Sequence, residues 1–139
     1  MPPLTRWYIK LALLYLVAAL LGGALAAAQR PLGLPAVWAA SGPTYIHLLV
    51  VGWITGMIFG VAYWMFPKHS PERPRGSNAL AIATFALLHG GLLLRAVAEP
   101  MHQLQPSSGW GAVLVASAVA QWLAGLGFAV AMWPRVRER

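Results

Sequence analysis

Residues 44–66, TYIHLLVVGWITGMIFGVAYWMF, form a continuous run without a single Asp, Glu, Lys or Arg. A helix that crosses a bilayer needs about 20 mostly apolar residues, so this run is long enough to span a membrane. Three further predominantly apolar runs lie near residues 6–28, 77–98 and 109–133. We therefore predict an all-α integral membrane protein, with four transmembrane helices forming one bundle and one domain over residues 1–139.

The composition supports lipid as the solvent for most of the chain. Hydrophobic residues make up 59% of the 139 positions and charged residues only 9%, which would leave a soluble domain without enough polar surface. The connections at 29–43, 67–76 and 99–108 are too short to hold a folded domain. We expect no soluble catalytic domain and no catalysis by this chain alone.

The net charge of +7 reflects topology and not a nucleic-acid partner, because the basic residues flank the apolar runs and do not cluster on one polar face. With the N-terminus inside, only Arg30 and Arg95 lie on or near the outer side. The other basic residues are then cytoplasmic: Arg6, Lys10, Lys68, Arg73, Arg75, Arg135, Arg137 and Arg139. This asymmetry predicts an N-in/C-in, multi-pass protein of a bacterial-type inner membrane.

The chain contains no cysteine, which excludes disulfides, thiolate metal sites, covalently attached c-type haem and cysteine nucleophiles. The first apolar run, with Ala24, Leu25 and Ala26 near its end, has some features of a signal peptide. It is long for a signal core, so we expect it to be retained as the first span.

Small residues recur at helical spacing on two of the predicted spans. Gly52, Gly56 and Gly60 lie four residues apart on the second span, a spacing that lets two helix backbones approach closely in lipid. A similar ridge is predicted on the fourth span, at Ala116, Ala120, Ala124 and Gly127. Both ridges indicate helix packing and carry no chemistry.

Ionisable side chains inside a membrane are costly, so each one is a functional hypothesis. Four of them lie at membrane depth: His47, His89, Arg95 and Glu99. The other two histidines, His69 and His102, fall in the predicted loops. Arg95 and Glu99 lie one helical turn apart and are predicted to pair with each other. Gln121, in the middle of the fourth span, is interpreted as a polar packing contact together with its neighbour Trp122.

His47 is the strongest candidate for a cofactor ligand. It lies about one turn inside the outer end of its span, and a neutral imidazole is a good ligand for haem iron. On a helical wheel, an apolar stripe lies beneath it, opposite the glycine ridge: Val51, Ile54, Ile58, Val61 and Met65. Such a stripe suits a flat macrocycle, and it suits a lipid-facing or core surface equally.

The residues from His47 to Pro67 resemble the second transmembrane helix of subunit I of the haem-copper oxidase superfamily, of the nitric oxide reductase or cbb3 type. The likeness rests on His47, on the spaced glycines, and on the Gly-x-Ala-Tyr-x-x-x-Pro pattern that ends at Pro67. It implies that His47 ligates a low-spin haem b. The further histidines of a full subunit I are missing, so the resemblance implies a short relative or an accessory subunit of such a complex.

The second axial ligand stays open at this stage. His89 lies about 9 Å deeper in its span than His47 does in its own, which is unfavourable for binding one iron. A symmetric homodimer or a partner subunit is the other possible source. An interhelical hydrogen bond beside Gly90 and Gly91 is an equally reasonable role for His89. Arg95, together with Arg30, is a candidate for holding haem propionates, because a guanidinium binds carboxylates in bidentate fashion.

Two functions follow from these observations. The first is a small haem b-binding membrane subunit of respiratory electron transfer, of the oxidase or nitric oxide reductase type. The alternative is a cofactor-free structural or assembly subunit that packs against a larger respiratory complex. A transporter or channel ranks last, because only His89 and Gln121 approach the polar midplane path that it would need.

Overall fold

The computed structural model describes residues 1–136, and every regular element within that range is helical. The four long helices are α1 Pro3–Ala28, α3 Gly42–Met65, α4 Asn78–Leu104 and α5 Ser108–Met132. A short helix, α2 Ala36–Ala40, precedes α3, and a 3₁₀ turn, Trp133–Arg135, follows α5. Arg137 and Arg139, predicted to be part of the basic cytoplasmic flank, lie outside the described residues.

Each of the four long helices is long and apolar enough to cross a bilayer. The predicted four-helix transmembrane architecture is confirmed at this level. The first residues of the chain and the turn after α5 lie at the same end of the bundle. We call the end of the bundle that carries Pro2, Pro67 and Arg135 the terminal end, and the end that carries α2 the distal end.

One helix boundary differs from the prediction, and one short helix was not predicted. The third span was expected to end at residue 98, closed by Pro100, but α4 continues through Pro100 to Leu104 and includes His102, which was placed in a loop. Glu99 and Pro100 are buried there, and α2 packs against α4. The stabilisation from this tertiary contact offsets the loss of the helical hydrogen bond that a proline cannot make. The helix α2 itself was missed, because the sequence indicated only a loop between the first two spans.

The predicted glycine ridge on α3 is confirmed as the surface on which α1 packs. A Cβ added at Gly52 would lie 2.7 Å from Cγ of Tyr15, and one added at Gly60 would lie 2.6 Å from Cβ of Tyr8. At Gly56 the nearest atom is Cβ of Ala12, at an ordinary 3.6 Å. The two helices therefore approach most closely at Gly52 and Gly60.

The ridge predicted on α5 is confirmed in part. Ala124 is fully buried, and a Cβ on Gly127 would lie 2.6 Å from Oγ1 of Thr84 on α4. Ala116, however, is exposed, and the neighbouring Ser117 occupies the buried position instead. At the distal end of α5, the face that meets α4 is therefore shifted by about one residue from the face that was predicted.

Aromatic side chains fill the space between the α1–α3 pair and the α4–α5 pair. Tyr8 of α1 contacts Phe85 of α4 edge-on, with ring centroids 4.8 Å apart. Phe59 of α3 stacks on Phe128 of α5 at 3.8 Å. These contacts join the two pairs of helices into one bundle.

The outer surface of the bundle is apolar, as a lipid-facing surface should be. Ile54, Ile58 and Met65, from the stripe predicted beneath His47, are exposed on it, whereas Val51 and Val61 are half-buried. Trp122 of α5 is also exposed, so it is not the interhelical contact that was predicted. The stripe is therefore mainly exposed on the outer surface of the bundle, which is compatible with contact with lipid.

We predict that Gly52→Ala and Gly60→Ala each destabilise the protein by about 1–3 kcal/mol, because the added methyl group forces α1 away from α3. Gly56→Ala is the matched control and should be neutral or slightly stabilising, since alanine favours a helix and has space there. Unfolding in mixed detergent–SDS micelles, followed by tryptophan fluorescence, measures the difference. Equal stabilities of the three variants would contradict the close approach at Gly52 and Gly60.

Candidate functional site

Three of the four residues predicted to lie at membrane depth meet in one place. His47 of α3 and Arg95 and Glu99 of α4 form a polar group near the distal end, which Ser117 and Gln121 of α5 complete. We call these five residues the distal cluster. It joins three of the four long helices through polar side chains.

The His47 ring is held at both nitrogens. Its Nδ1 lies 2.9 Å from the carbonyl oxygen of Pro43, in the same helix, and 3.0 Å from Oε1 of Glu99. Its Nε2 lies 3.4 Å from Nη1 of Arg95. Both neighbours of Nδ1 are acceptors, whereas a guanidinium can only donate, so we assign the hydrogen of the neutral ring to Nδ1. The lone pair of Nε2 then points toward Arg95.

Arg95 is the centre of the distal cluster. Its Nη1 donates to Oε1 of Glu99 at 3.2 Å, which confirms the pair predicted from their spacing. Its Nε donates to Oγ of Ser117 at 3.2 Å. The side chains of Arg95 and Glu99 are only 17% and 9% exposed, so the pair is largely shielded from solvent. The second carboxylate oxygen of Glu99 is buried and has no hydrogen-bond partner among the described residues.

Ser117 is a member of the cluster that the sequence did not reveal. Its hydroxyl donates to the carbonyl oxygen of Gly91 at 2.8 Å and accepts from Arg95 and from Nε2 of Gln121, the latter at 3.1 Å. Because Gln121 and Ser117 both belong to α5, this hydrogen bond is not itself the contact between helices that was expected of Gln121. A serine between alanines in a helix gives no sign that an arginine from another helix will reach it, so only the fold identifies Ser117.

His89 lies apart from the distal cluster. Its ring stacks on Tyr15 at 5.6 Å and contacts Phe85 and Tyr8, with centroids 4.4 and 5.4 Å away. Both ring nitrogens are buried without a hydrogen-bond partner among the described residues, so the interhelical hydrogen bond suggested for His89 is not formed. Among residues 1–136, no hydrogen bond, ion pair or ring contact joins it to His47. His89 is thus a buried residue (5% exposed) enclosed by three aromatic rings, and its assignment as a cofactor ligand stays a prediction.

Arg135 has a structural role beyond its predicted contribution to the basic flank. It is 1% exposed, and its Nε donates to the carbonyl oxygen of Pro67 at 2.8 Å. Its Nη2 donates to the carbonyl oxygens of Phe66, at 2.8 Å, and Tyr63, at 3.1 Å. These are carbonyl groups at the C-terminus of α3, which lack helical partners and carry partial negative charge. Arg135 therefore caps α3 from the end of α5.

Across residues 1–136, no three His, Asp or Glu side chains gather in a way that could hold a free metal ion. No protein-family model, curated protein or solved structure matched the chain. The resemblance of residues 47–67 to a haem-copper oxidase helix therefore stays a prediction from the sequence.

We predict that Arg95→Met and Glu99→Leu each destabilise the protein strongly, by about 3–5 kcal/mol, because each leaves one buried charge without its partner. The double variant should be more stable than either single variant, since it leaves neither charge behind. Unfolding of all four proteins in mixed detergent–SDS micelles gives the coupling free energy. Additive losses in the double variant would show that the two side chains do not act as a pair.

Proposed function

We propose that this protein is a small haem b-binding membrane subunit of respiratory electron transfer, with Nε2 of His47 as one axial ligand. One observation carries the proposal: Nδ1 of His47 lies within hydrogen-bond distance of both a backbone carbonyl and the Glu99 carboxylate. Metal-ligating histidines almost always donate their second ring N–H to such a group, which fixes the tautomer and raises the basicity of the ligating nitrogen.

The donor set around His47 fits a haem. The 3.4 Å contact between Nε2 and Arg95 is longer than a good N–H···O or N–H···N hydrogen bond, so it is the contact that a ligand would replace. Arg95 would then lie next to the cofactor, where a guanidinium can bind a propionate carboxylate. Arg30, exposed in the turn after α1, is a second cation on the same side of the bundle.

Four residues of this chain would have distinct roles in holding the cofactor. His47 would hold the iron, Pro43 and Glu99 would orient its ring, and Arg95 would supply positive charge. When bound, the haem iron supplies one-electron redox chemistry. Because His89 is enclosed by aromatic rings, any further ligand to the iron would come from another chain. A larger respiratory membrane complex or a second copy of this protein would provide it across the exposed apolar surface.

The alternative, a cofactor-free structural or assembly subunit of a respiratory complex, is favoured by a different observation. The cluster is connected internally, from His47 through Arg95 and Ser117 to Gly91. A network of this kind can hold α3, α4 and α5 in register without any cofactor. The resemblance of residues 47–67 to a haem-binding helix favours the first function.

We predict that the purified protein shows the absorbance bands of haem b when reduced with dithionite, either as isolated or after addition of haemin. His47→Ala should abolish these bands, because it removes the only ligand that the proposal assigns to this chain. His69→Ala, in the central loop, is the control and should keep them. Absence of bands after haemin addition, or unchanged bands in His47→Ala, would favour the cofactor-free alternative.

We also propose that both termini face the cytoplasm of a cell with a bacterial-type inner membrane. The terminal end of the bundle carries Arg6, Lys68, Arg73, Arg75 and Arg135 among the described residues. Lysine and arginine are retained on the cytoplasmic side during insertion, which supports this orientation.

Because the chain has no cysteine, single cysteines can report the orientation directly. We predict that Leu32→Cys, exposed at the distal end, reacts with a membrane-impermeant maleimide in intact cells. Glu72→Cys, exposed in the central loop at the terminal end, should react only after the cells are lysed. The reverse pattern would place the termini outside.

A further inference from the structure

The central loop between α3 and α4 folds into a cleft at the terminal end of the bundle. Its backbone is held by two hydrogen bonds, from the N–H of His69 to the carbonyl oxygen of Pro74 and from the N–H of Gly76 to that of Arg73. Gly76 has a φ of +77°, a conformation that favours glycine. Residues 72–78 line a cleft of about 430 Å³.

The lining of the cleft is suited to an anion. Arg73 and Arg75 are on it, as are Ser77, which caps the N-terminus of α4, and Asn78. The first N–H groups of a 27-residue helix add partial positive charge at the same place. Nε of Arg75 is buried and has no acceptor among the described residues. The Arg75 guanidinium therefore retains a hydrogen-bond donor that no described residue uses.

Glu72 is the one acidic residue on the cleft, and it leaves the lining with a net charge of one positive (two arginines less one glutamate). Among the described residues, the ion pairs within 4.0 Å all involve Glu99 and none involves Glu72. Neither arginine of the cleft is therefore neutralised by a direct ion pair within that range.

The polar cleft adjoins an apolar groove. A second cavity, of about 320 Å³, shares Arg75 and Asn78 with the cleft and is otherwise lined by Tyr63, Ile82 and the first residues of the chain, Pro2, Pro3 and Leu4. Ile82 is 59% exposed and lies one turn into α4, on the surface that faces lipid. A molecule that occupied both cavities would have its anionic part at the arginines and its apolar part against Ile82.

We propose that the cleft and groove bind an anionic phospholipid, with its phosphate at Arg73 and Arg75 and an acyl chain along Ile82. The phosphate matches the guanidinium groups and the helix N-terminus, and the bilayer supplies the acyl chain at this depth. Basic pockets between transmembrane helices on the cytoplasmic side are suited to anionic headgroups. The site lies at the opposite end of the bundle from His47 and does not depend on haem binding.

The test measures the melting temperature of the full-length protein in neutral detergent, by tryptophan fluorescence, as phosphatidylglycerol is added. A ligand of the folded state raises this temperature with concentration. Phosphatidylcholine and inorganic phosphate are added in parallel titrations. We expect stabilisation by phosphatidylglycerol alone. Equal stabilisation by phosphatidylcholine would overturn the role of the charge, and equal stabilisation by inorganic phosphate would overturn the role of the acyl chain.

Matched variants locate the site. Arg73→Gln with Arg75→Gln should weaken the apparent affinity for phosphatidylglycerol about tenfold or more. The control, Arg6→Gln with Lys10→Gln, removes the same charge from the same end of the bundle but from α1, and should leave the affinity nearly unchanged. An equal loss in both pairs, or no loss in either, would overturn the proposal, because attraction would then be diffuse or absent.

A third variant decides the question if the double arginine variant does not fold. Glu72→Gln removes the one negative charge from the lining and should tighten the binding of phosphatidylglycerol severalfold. An affinity unchanged by Glu72→Gln would show that the headgroup does not lie in the cleft.

Discussion

The ion pair between Arg95 and Glu99 is the constraint on which the distal half of the bundle depends. A charged side chain in a medium of low dielectric constant is costly unless a counter-charge and hydrogen bonds accompany it. Arg95 meets this requirement by contacts with two other helices, at His47 on α3 and Ser117 on α5. The position of α4 relative to both neighbours is thereby restricted, and so is the orientation of the His47 ring.

At the terminal end of the bundle a buried arginine is also paired, but with backbone carbonyl groups. The last carbonyl groups of α3 have no helical N–H to accept from, and a bilayer offers no water in its core. Arg135 donates to the carbonyl oxygens of Tyr63, in the last turn of α3, and of Phe66 and Pro67, which directly follow it; it is itself buried without a carboxylate partner among the described residues. Opposite ends of α3 are therefore held by arginines from different helices, one bound to a side chain and one to backbone carbonyls.

The sequence predicted those features that depend on one helix at a time. The four spans follow from apolar length, the Arg95–Glu99 pair follows from a spacing of four residues, and the glycine ridge follows from its period. Features that depend on how two helices are rotated and shifted against each other were missed, namely the roles of Ser117 and Arg135 and the surroundings of His89. In α3, moreover, Leu48–Thr55 is π-helical, with the Thr55 hydroxyl donating to the carbonyl oxygen of Val50. Wider turns shift the faces of a wheel drawn for an α-helix.

The π-helical segment begins at the residue after His47, which bears on the choice between the two functions. Such segments are rare, and short π-bulges are frequent at functional sites. A cluster that served only to hold helices together would not require an imidazole whose Nδ1 is oriented by two acceptors while its Nε2 makes the longest contact of the group. Arg95 keeps Glu99 and Ser117 as partners whether or not it contacts His47. Of the contacts in the cluster, the one made by Nε2 can therefore be replaced with the smallest loss of free energy. A histidine that ligates iron needs this arrangement, in which Nδ1 is held by acceptors and Nε2 is available to a ligand.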